Sequence, residues 1–316
     1  MQSTRKSSNG SGMKEYILSL AEYVSQVISQ SQGTLKNRYI NGYSPGGDAQ
    51  FDIDEIAESA VWQFIVERGE PIAVYSEDKG LQTFGSDPNY LLIVDPIDGT
   101  RPAAANLEMC CISIAVAKFQ EFACIGDVEY ALLKELKTGA YIYGDRYHDE
   151  LIYAGYSQSL PNLSHTSDLN NMFWSFEFNG HPTSLMINAY GHLIDNSANT
   201  GGVFLFNSAS YSISRIITGQ LDAYVDIGNR LLKEYPETRP AFEKVGKGYI
   251  LHLFPYDIAA SVFLAEKAGV IITDAFGKSL NNTLLMDLSD NNQQSCIAAS
   301  TLELHGKLLD NIRWQV

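Results

Sequence analysis

Positive charge is what this chain has least of. Its 316 residues carry 22 Lys and Arg against 37 Asp and Glu, a formal net charge of −15. The acid is spread along the chain and not gathered into a tail, so neither nucleic acid nor an anionic membrane is expected as a partner. Cysteine is scarce as well. Cys110, Cys111, Cys124 and Cys296 form no C-x-x-C pair and no Cys/His cluster, which excludes a zinc module and leaves four reduced, small hydrophobes of a cytoplasmic protein. No apolar run is long enough to span a bilayer. The opening MQSTRKSSNGSG has no apolar stretch behind Arg5 and Lys6. It therefore reads as a flexible leader over residues 1–13, not as a signal peptide. The six His residues lack metal spacing, and Gly277-Lys278-Ser279 lacks the earlier glycine of a P-loop because Ile272 stands there. There is no internal repeat, low-complexity tract or linker, so residues 14–316 are expected to form one domain.

What is present is a core and a mixed pattern. Hydrophobic residues make up 45 % of the chain, enough for a sizeable interior. Ile17, Leu20, Ala21, Val24, Val27 and Ile28 repeat at helical spacing, as do Ile56, Ala57, Ala60, Val61, Phe64 and Ile65 up to Gly69. Strands are expected at 72–75, 90–94, 111–119, 122–132, 140–143, 223–227 and 270–273. Further helices are expected at 208–218 and 257–268. The fold class is α/β, with parallel crossovers and antiparallel strands packed in layers.

One stretch stands out: YLLIVDPIDGTRP, Tyr90 to Pro102. A strand buried on both faces delivers its last groups to the carboxyl edge of the sheet, where ligands bind in α/β proteins. Pro96 stiffens the chain there. Asp95, the Ile97 carbonyl and Asp98 can then face one point, and three oxygens suit a hard cation such as Mg²⁺. Gly99 and Thr100 open a helix whose N–H groups attract an anion such as phosphate. The plainer alternative is a strand, a turn and an Asp cap. Glu77 and Asp78 at the preceding strand end, and Asp257 at the start of an Ala-rich helix, weigh against it. Asp257, Asp52 and Asp54 nevertheless all fit a capping role by themselves.

Taken together, Glu77, then D-P-I-D-G-T, then Asp257 opening a helix before G-V-I-I-T, resemble the inositol monophosphatase family. That family lies within the fructose-1,6-bisphosphatase-like, Mg²⁺-dependent, lithium-sensitive phosphatases. The resemblance covers most of the chain after residue 13. It implies an αβαβα sandwich with mixed sheets, a metal-site half at about 14–155 and a substrate-side half at about 156–316. It implies two or three Mg²⁺ ions held by Glu77, Asp95, the Ile97 carbonyl, Asp98 and Asp257. Thr100 and Asp54 match the residues that orient and polarise the attacking water, with Glu77 beside them in the catalytic set. The N–H groups of Gly99 and Thr100 match the phosphate cradle. Ser208, Ala209 and Asp226 match positions lining the alcohol part of the substrate. The family habit implies a homodimer acting on a small phosphorylated substrate.

The chain departs from the family pattern on the substrate side. Arg101-Pro-Ala-Ala-Ala follows D-G-T, Tyr256 stands where a Trp is usual, and residues 228–254 are inserted between Asp226 and Asp257. The leading expectation is hydrolysis of a small sugar or polyol phosphate. Fructose-1,6-bisphosphate is the alternative, because Arg230 follows the Asp226 strand and could reach a second phosphate from a flap over the pocket. A nucleotide 3′-phosphatase and a non-catalytic ligand-binding relative are the remaining readings. The insertion reads equally as a solvated surface loop, its Lys and Arg balanced by Glu234, Glu237 and Glu243.

Overall fold

The computed structural model describes residues 8–31 and 38–314. In chain order it begins with α1 (Ser8–Ser31), β1 (Ile40–Tyr43), β2 (Ala49–Phe51) and α2 (Asp52–Arg68). Then come β3 (Ile72–Ser76), β4 (Gly80–Phe84), β5 (Tyr90–Asp98), α3 (Thr100–Ala104), β6 (Cys111–Lys118), β7 (Val128–Glu135), β8 (Tyr141–Asp145) and β9 (Ile152–Ala154). The second half runs β10 (Phe173–Phe176), α4 (Thr183–Ser197), β11 (Gly202–Phe204), α5 (Ala209–Ile217), β12 (Ala223–Asp226), α6 (Gly228–Glu234) and α7 (Arg239–Val245). It closes with α8 (Pro255–Ala268), β13 (Ile271–Thr273), β14 (Cys296–Ala299) and α9 (Leu302–Asn311).

Strand alternation builds the layers. The first sheet has the order β4-β3-β5-β6-β7-β8-β9. One of its faces carries Val74, Leu92, Val94, Ile112, Ile114 and Leu132, which pack on the apolar stripes of α1 and α2. Its other face, with Tyr75, Leu91, Ile93 and Ala115, packs on α5 and α8. The same helices cover Tyr224, Ile272, Cys296 and Ala298 of a second sheet, β11-β10-β12-β14-β13. The far face of that sheet, with Trp174, Val225 and Ile297, is closed by residues of α4, α6, α7 and α9. Helix, sheet, helix, sheet and helix follow one another, which is the expected αβαβα sandwich.

Several boundaries differ from expectation. α1 starts at Ser8, inside the stretch read as leader, and Met13 packs against the first core; residues 1–7 lie outside the described residues, as does Gly33. Of the strand expected at 122–132 only the end is strand, because residues 125–127 form a 3₁₀ turn capped by Asp127 on the Cys124 N–H. β5 does not stop at Val94. Asp95 pairs with Ser113 and Asp98 with Cys111, so one extra residue sits on β5. That bulge is where Pro96, which has no N–H to give the ladder, is tolerated. The insertion is only partly loop: α6 and α7 bury Leu231 and Phe242 in the third core, and residues 246–254 run as turn and coil to the cleft, where 251–254 line it.

Candidate active site

Two parallel strand pairs end at one cleft. β3 and β5 run parallel and deliver Glu77 and the Asp95–Asp98 bulge. β10 and β12 run parallel in the second sheet and deliver Glu177 and Asp226. The N-termini of α3, α5 and α8 reach the same place, a cleft open to solvent.

Backbone geometry fixes the first wall. Within the bulge the Ile97 N–H donates to Asp95 Oδ1 at 3.0 Å, which turns the carboxylate toward the cleft edge. Gly99 follows at φ 93°, a conformation that favours glycine. A Cβ there would lie 2.7 Å from the Met109 carbonyl and 2.9 Å from Ser208 Cβ, so glycine also lets the α5 cap approach. The Ser208 hydroxyl accepts from the Tyr211 N–H at 3.1 Å and donates to the Asp98 carbonyl at 3.3 Å. Asp98 in turn accepts from the Ser210 N–H. Thr100 Oγ1 donates to the Ile97 carbonyl at 3.3 Å.

Asp54 and Asp257 cap their helices. Asp257 Oδ2 accepts from the Phe254 N–H at 2.7 Å, and Asp54 Oδ2 accepts from the Phe51 N–H at 2.8 Å. The capping expectation holds for both, and each carboxylate is fixed by its own helix start. Asp54 lies behind the main cleft, in a smaller hollow shared with Glu77, Asp95 and Ile97.

Asp95 and Asp98 are buried, whereas Glu77 and Asp257 are sunk in protein with their tips toward the cleft. Burial drives the Glu77, Asp95 and Asp257 carboxyls well above the usual range, and their acidic neighbours push the same way. For Glu77 these neighbours are Asp48, Asp257, Asp78 and Asp54; for Asp95 they are Asp98, Glu77 and Asp257. Asp98 is raised to about 6 by burial, held back by hydrogen bonds from Ser210 and Ser208. Asp54 is raised to about 7 by burial, against hydrogen bonds from Phe51 and Thr100. The four carboxylates of the first wall have no Lys or Arg partner among the described residues. Nor are any three of them drawn into a closed ligand set among the described residues. The donor set, all oxygen and short of positive charge, is of the chemical kind that hard divalent cations take.

Ser208, Ala209 and Asp226 line the cleft as expected, but Arg230 does not. Its guanidinium lies 3.5 Å over the Trp314 ring and donates to the Ala275 carbonyl at 2.6 Å and to Glu234 at 3.1 Å. A planar cation that finds an indole face, a carbonyl and a carboxylate next to it is held there and not over the cleft. Sequence reasoning missed Asp48 and Arg101, whose side chains pair at 2.7 Å on the cleft rim. It also missed Glu177, Asn179, His181 and His252 on the second wall. An acid directly after an apolar run, as Glu177 follows Phe173–Phe176, was the available signal for one of them.

Comparison with known proteins agrees with this geometry. The inositol monophosphatase family model matches residues 12–315. A fructose-1,6-bisphosphatase/inositol-1-monophosphatase of Methanothermobacter thermautotrophicus is 24 % identical over 93 % of this chain and 94 % of its own length. A bifunctional NADP phosphatase/NAD kinase of Methanococcus maripaludis is 23 % identical over 96 % of this chain, which spans half of that protein. Among solved structures, a hypothetical protein of Pyrococcus horikoshii with similarities to inositol-1 monophosphatase superposes with a TM-score of 0.67. The alignment is at 21 % identity over 96 % of this chain and 99 % of that one. The extragenic suppressor protein suhB of Bartonella henselae gives 0.70 at 14 % identity, over 96 % of this chain and all of that one. The chain belongs to the inositol monophosphatase family, and with it to the phosphoric monoester hydrolases.

Proposed function

We propose that this protein is a Mg²⁺-dependent phosphatase acting on a small sugar or polyol phosphate monoester, with water as the attacking group. The observation that carries the reading is the first wall: Glu77, Asp95, Asp98 and Asp257 converge on one cleft edge without a cationic side chain among them. Glu77, Asp95, the Ile97 carbonyl, Asp98 and Asp257 would hold the ions. When bound, Mg²⁺ supplies a Lewis acid that activates water and neutralises charge on the leaving oxygen.

The chain's own groups do the rest. The Gly99 and Thr100 N–H groups would receive phosphate oxygens at the start of α3. Thr100 Oγ1, beside the Ile97 carbonyl and Asp54, would orient the water. Asp54, raised to about 7 by burial, is placed to share a proton near neutral pH. The relatives named fructose-1,6-bisphosphatase/inositol-1-monophosphatase support a sugar or polyol ester. The case for a bisphosphate from within this chain rested on Arg230, which packs elsewhere.

The test is release of inorganic phosphate from p-nitrophenyl phosphate by the purified protein. Release should require Mg²⁺, stop with a chelator and slow with added lithium. No release at any Mg²⁺ concentration would refute the proposal.

A further inference from the structure

The second wall holds buried polar groups that the reaction above leaves without a task. Glu177 and Asp226 stand side by side at the ends of β10 and β12, and the Glu177 N–H bonds the Val225 carbonyl at 3.2 Å. Both carboxylates are buried. One oxygen of each is satisfied by backbone: Glu177 Oε1 by the N–H groups of Phe178 and Asn179, Asp226 Oδ1 by that of Gly228. The other oxygen of each accepts no hydrogen bond among the described residues.

Two imidazoles face these acids without balancing them. His181 Nε2 is 3.8 Å from Asp226 Oδ1 and 3.3 Å from His252 Nδ1. Burial lowers both rings, His181 to about 4, so they stay uncharged near neutrality. His252 Nε2 has no partner among the described residues although the side chain is 7 % exposed, and the Tyr224 hydroxyl is likewise unpartnered. Both residues line the cleft. Unpaired polar atoms in a buried wall are costly unless something meets them. Arg101 is the one Lys or Arg in the described lining, and Asp48 already engages it through two hydrogen bonds.

The insertion brings His252 to this place. A Cβ on Gly180 would lie 2.4 Å from Leu251 Cβ, and one on Gly228 2.4 Å from His181 Nε2. Both glycines thus let the 251–254 segment and the His181 ring close onto the wall.

The family resemblance already puts the alcohol part of the substrate against Asp226; we propose that this wall selects a phosphate monoester bearing a protonated amine over one bearing a second phosphate. The inference rests on the phosphatase reading and deepens it. An ammonium offers three donors and a positive charge. The free oxygens of Glu177 and Asp226 and an unprotonated ring nitrogen are acceptors for it. Burial raises Glu177 and Asp226 to about 7 each, so an ammonium would be met by acids that ionise in its presence, whereas a phosphate in the same place would meet two buried acid groups that offer it no positive charge. A hydroxyl ranks between the two.

The experiment compares kcat/KM for glucosamine 6-phosphate, glucose 6-phosphate and glucose 1,6-bisphosphate, with p-nitrophenyl phosphate as control. The amine should exceed the neutral sugar by about tenfold, the scale of one charge-assisted hydrogen bond, and the bisphosphate should come last. Glu177→Gln and Asp226→Asn should each bring the amine-to-neutral ratio toward one. A bisphosphate that matches or beats glucose 6-phosphate, an amine no better than the neutral sugar, or a ratio unmoved in both variants overturns the inference while leaving the phosphatase reading standing. Failure on the control ester removes both. Should neither variant fold, the wild-type ranking alone decides.

Discussion

The two walls of the cleft are built by the same device and differ in what surrounds it. In each, a parallel strand pair ends in carboxylates at the cleft: Glu77 with Asp95 and Asp98 on one side, Glu177 with Asp226 on the other. The first wall adds a bulge, a glycine at φ 93° and three helix starts, and its acids are raised first by burial and then by one another. The second adds an imidazole and a phenol with polar atoms that lack partners among the described residues. The strand ends fix where acids stand. The neighbours then decide whether those acids are suited to cations as metal ligands or to a polar substrate.

The sharpest way to break this comparison is to neutralise one acid of the first wall. Asp95→Asn keeps the size of the side chain and its Oδ1 can still accept from the Ile97 N–H. Phosphate release should fall by more than about a hundredfold, beyond what the outer partners of a metal ligand usually contribute. The melting temperature in the absence of Mg²⁺ should hold or rise, since a buried charge has been removed. If the variant retains a tenth of the wild-type rate at saturating Mg²⁺, Asp95 is not a ligand and the walls do not divide the work as described.

The same contrast explains what could be read from the chain. The first-wall residues stood out because D-P-I-D-G-T packs a strand end, a proline and a glycine turn into six residues, but Asp and Gly turn chains everywhere, and it was the other acids and the family resemblance that turned the stretch toward a metal site. The layers were legible because periods of 3.6 and 2 mark the faces that pack. The strand end was misplaced because Pro96 argues against a continuing strand, and a bulge cannot be seen without the partner strand. Glu177, His181 and His252 left little trace, since they meet only through tertiary packing, and a single His on a loop has many ordinary reasons to be there. Arg230 misled for a related reason. Its partner is Trp314, far along the chain and close only in the fold.

A medium effect should show on the second wall as a pH dependence. Burial raises Asp226 from the usual 3.8 to about 7. Its folded value therefore lies above its unfolded value, so its contribution to stability is full at acid pH and is lost as pH rises from about 4 through about 7. At ~1.4 kcal/mol per pH unit the ceiling is roughly 4 kcal/mol, and local relaxation will reduce it. Asp226→Asn cannot lose a proton, so its melting temperature should gain on wild type as pH rises across that window. His181 has the opposite sign, being lowered to about 4 and losing its contribution as pH falls. It is present in both proteins and largely cancels in the difference. A difference between the two melting curves that stays flat from pH 4 to 8 would mean that Asp226 is not held in the desolvated state described for this wall.

The smallest effect is expected at Arg230, and it sharpens the comparison by showing what belongs to neither wall. Its guanidinium stacks on Trp314 at 3.5 Å and Phe276 at 4.8 Å, and joins α6 to the Ala275 carbonyl. Arg230→Ala should lose about 2 kcal/mol of stability, from cation–π contacts with two rings and one hydrogen bond from a charged donor. The KM values for glucose 6-phosphate and glucose 1,6-bisphosphate should both stay within about twofold of wild type, because no part of the side chain lines the cleft. Arg230→Lys keeps the charge but not the planar stack, so its melting temperature should fall close to that of the Ala variant. A tenfold rise in KM confined to the bisphosphate would place Arg230 over the cleft after all. The second wall would then have a cation of its own, and its preference for an amine over a second phosphate would be gone.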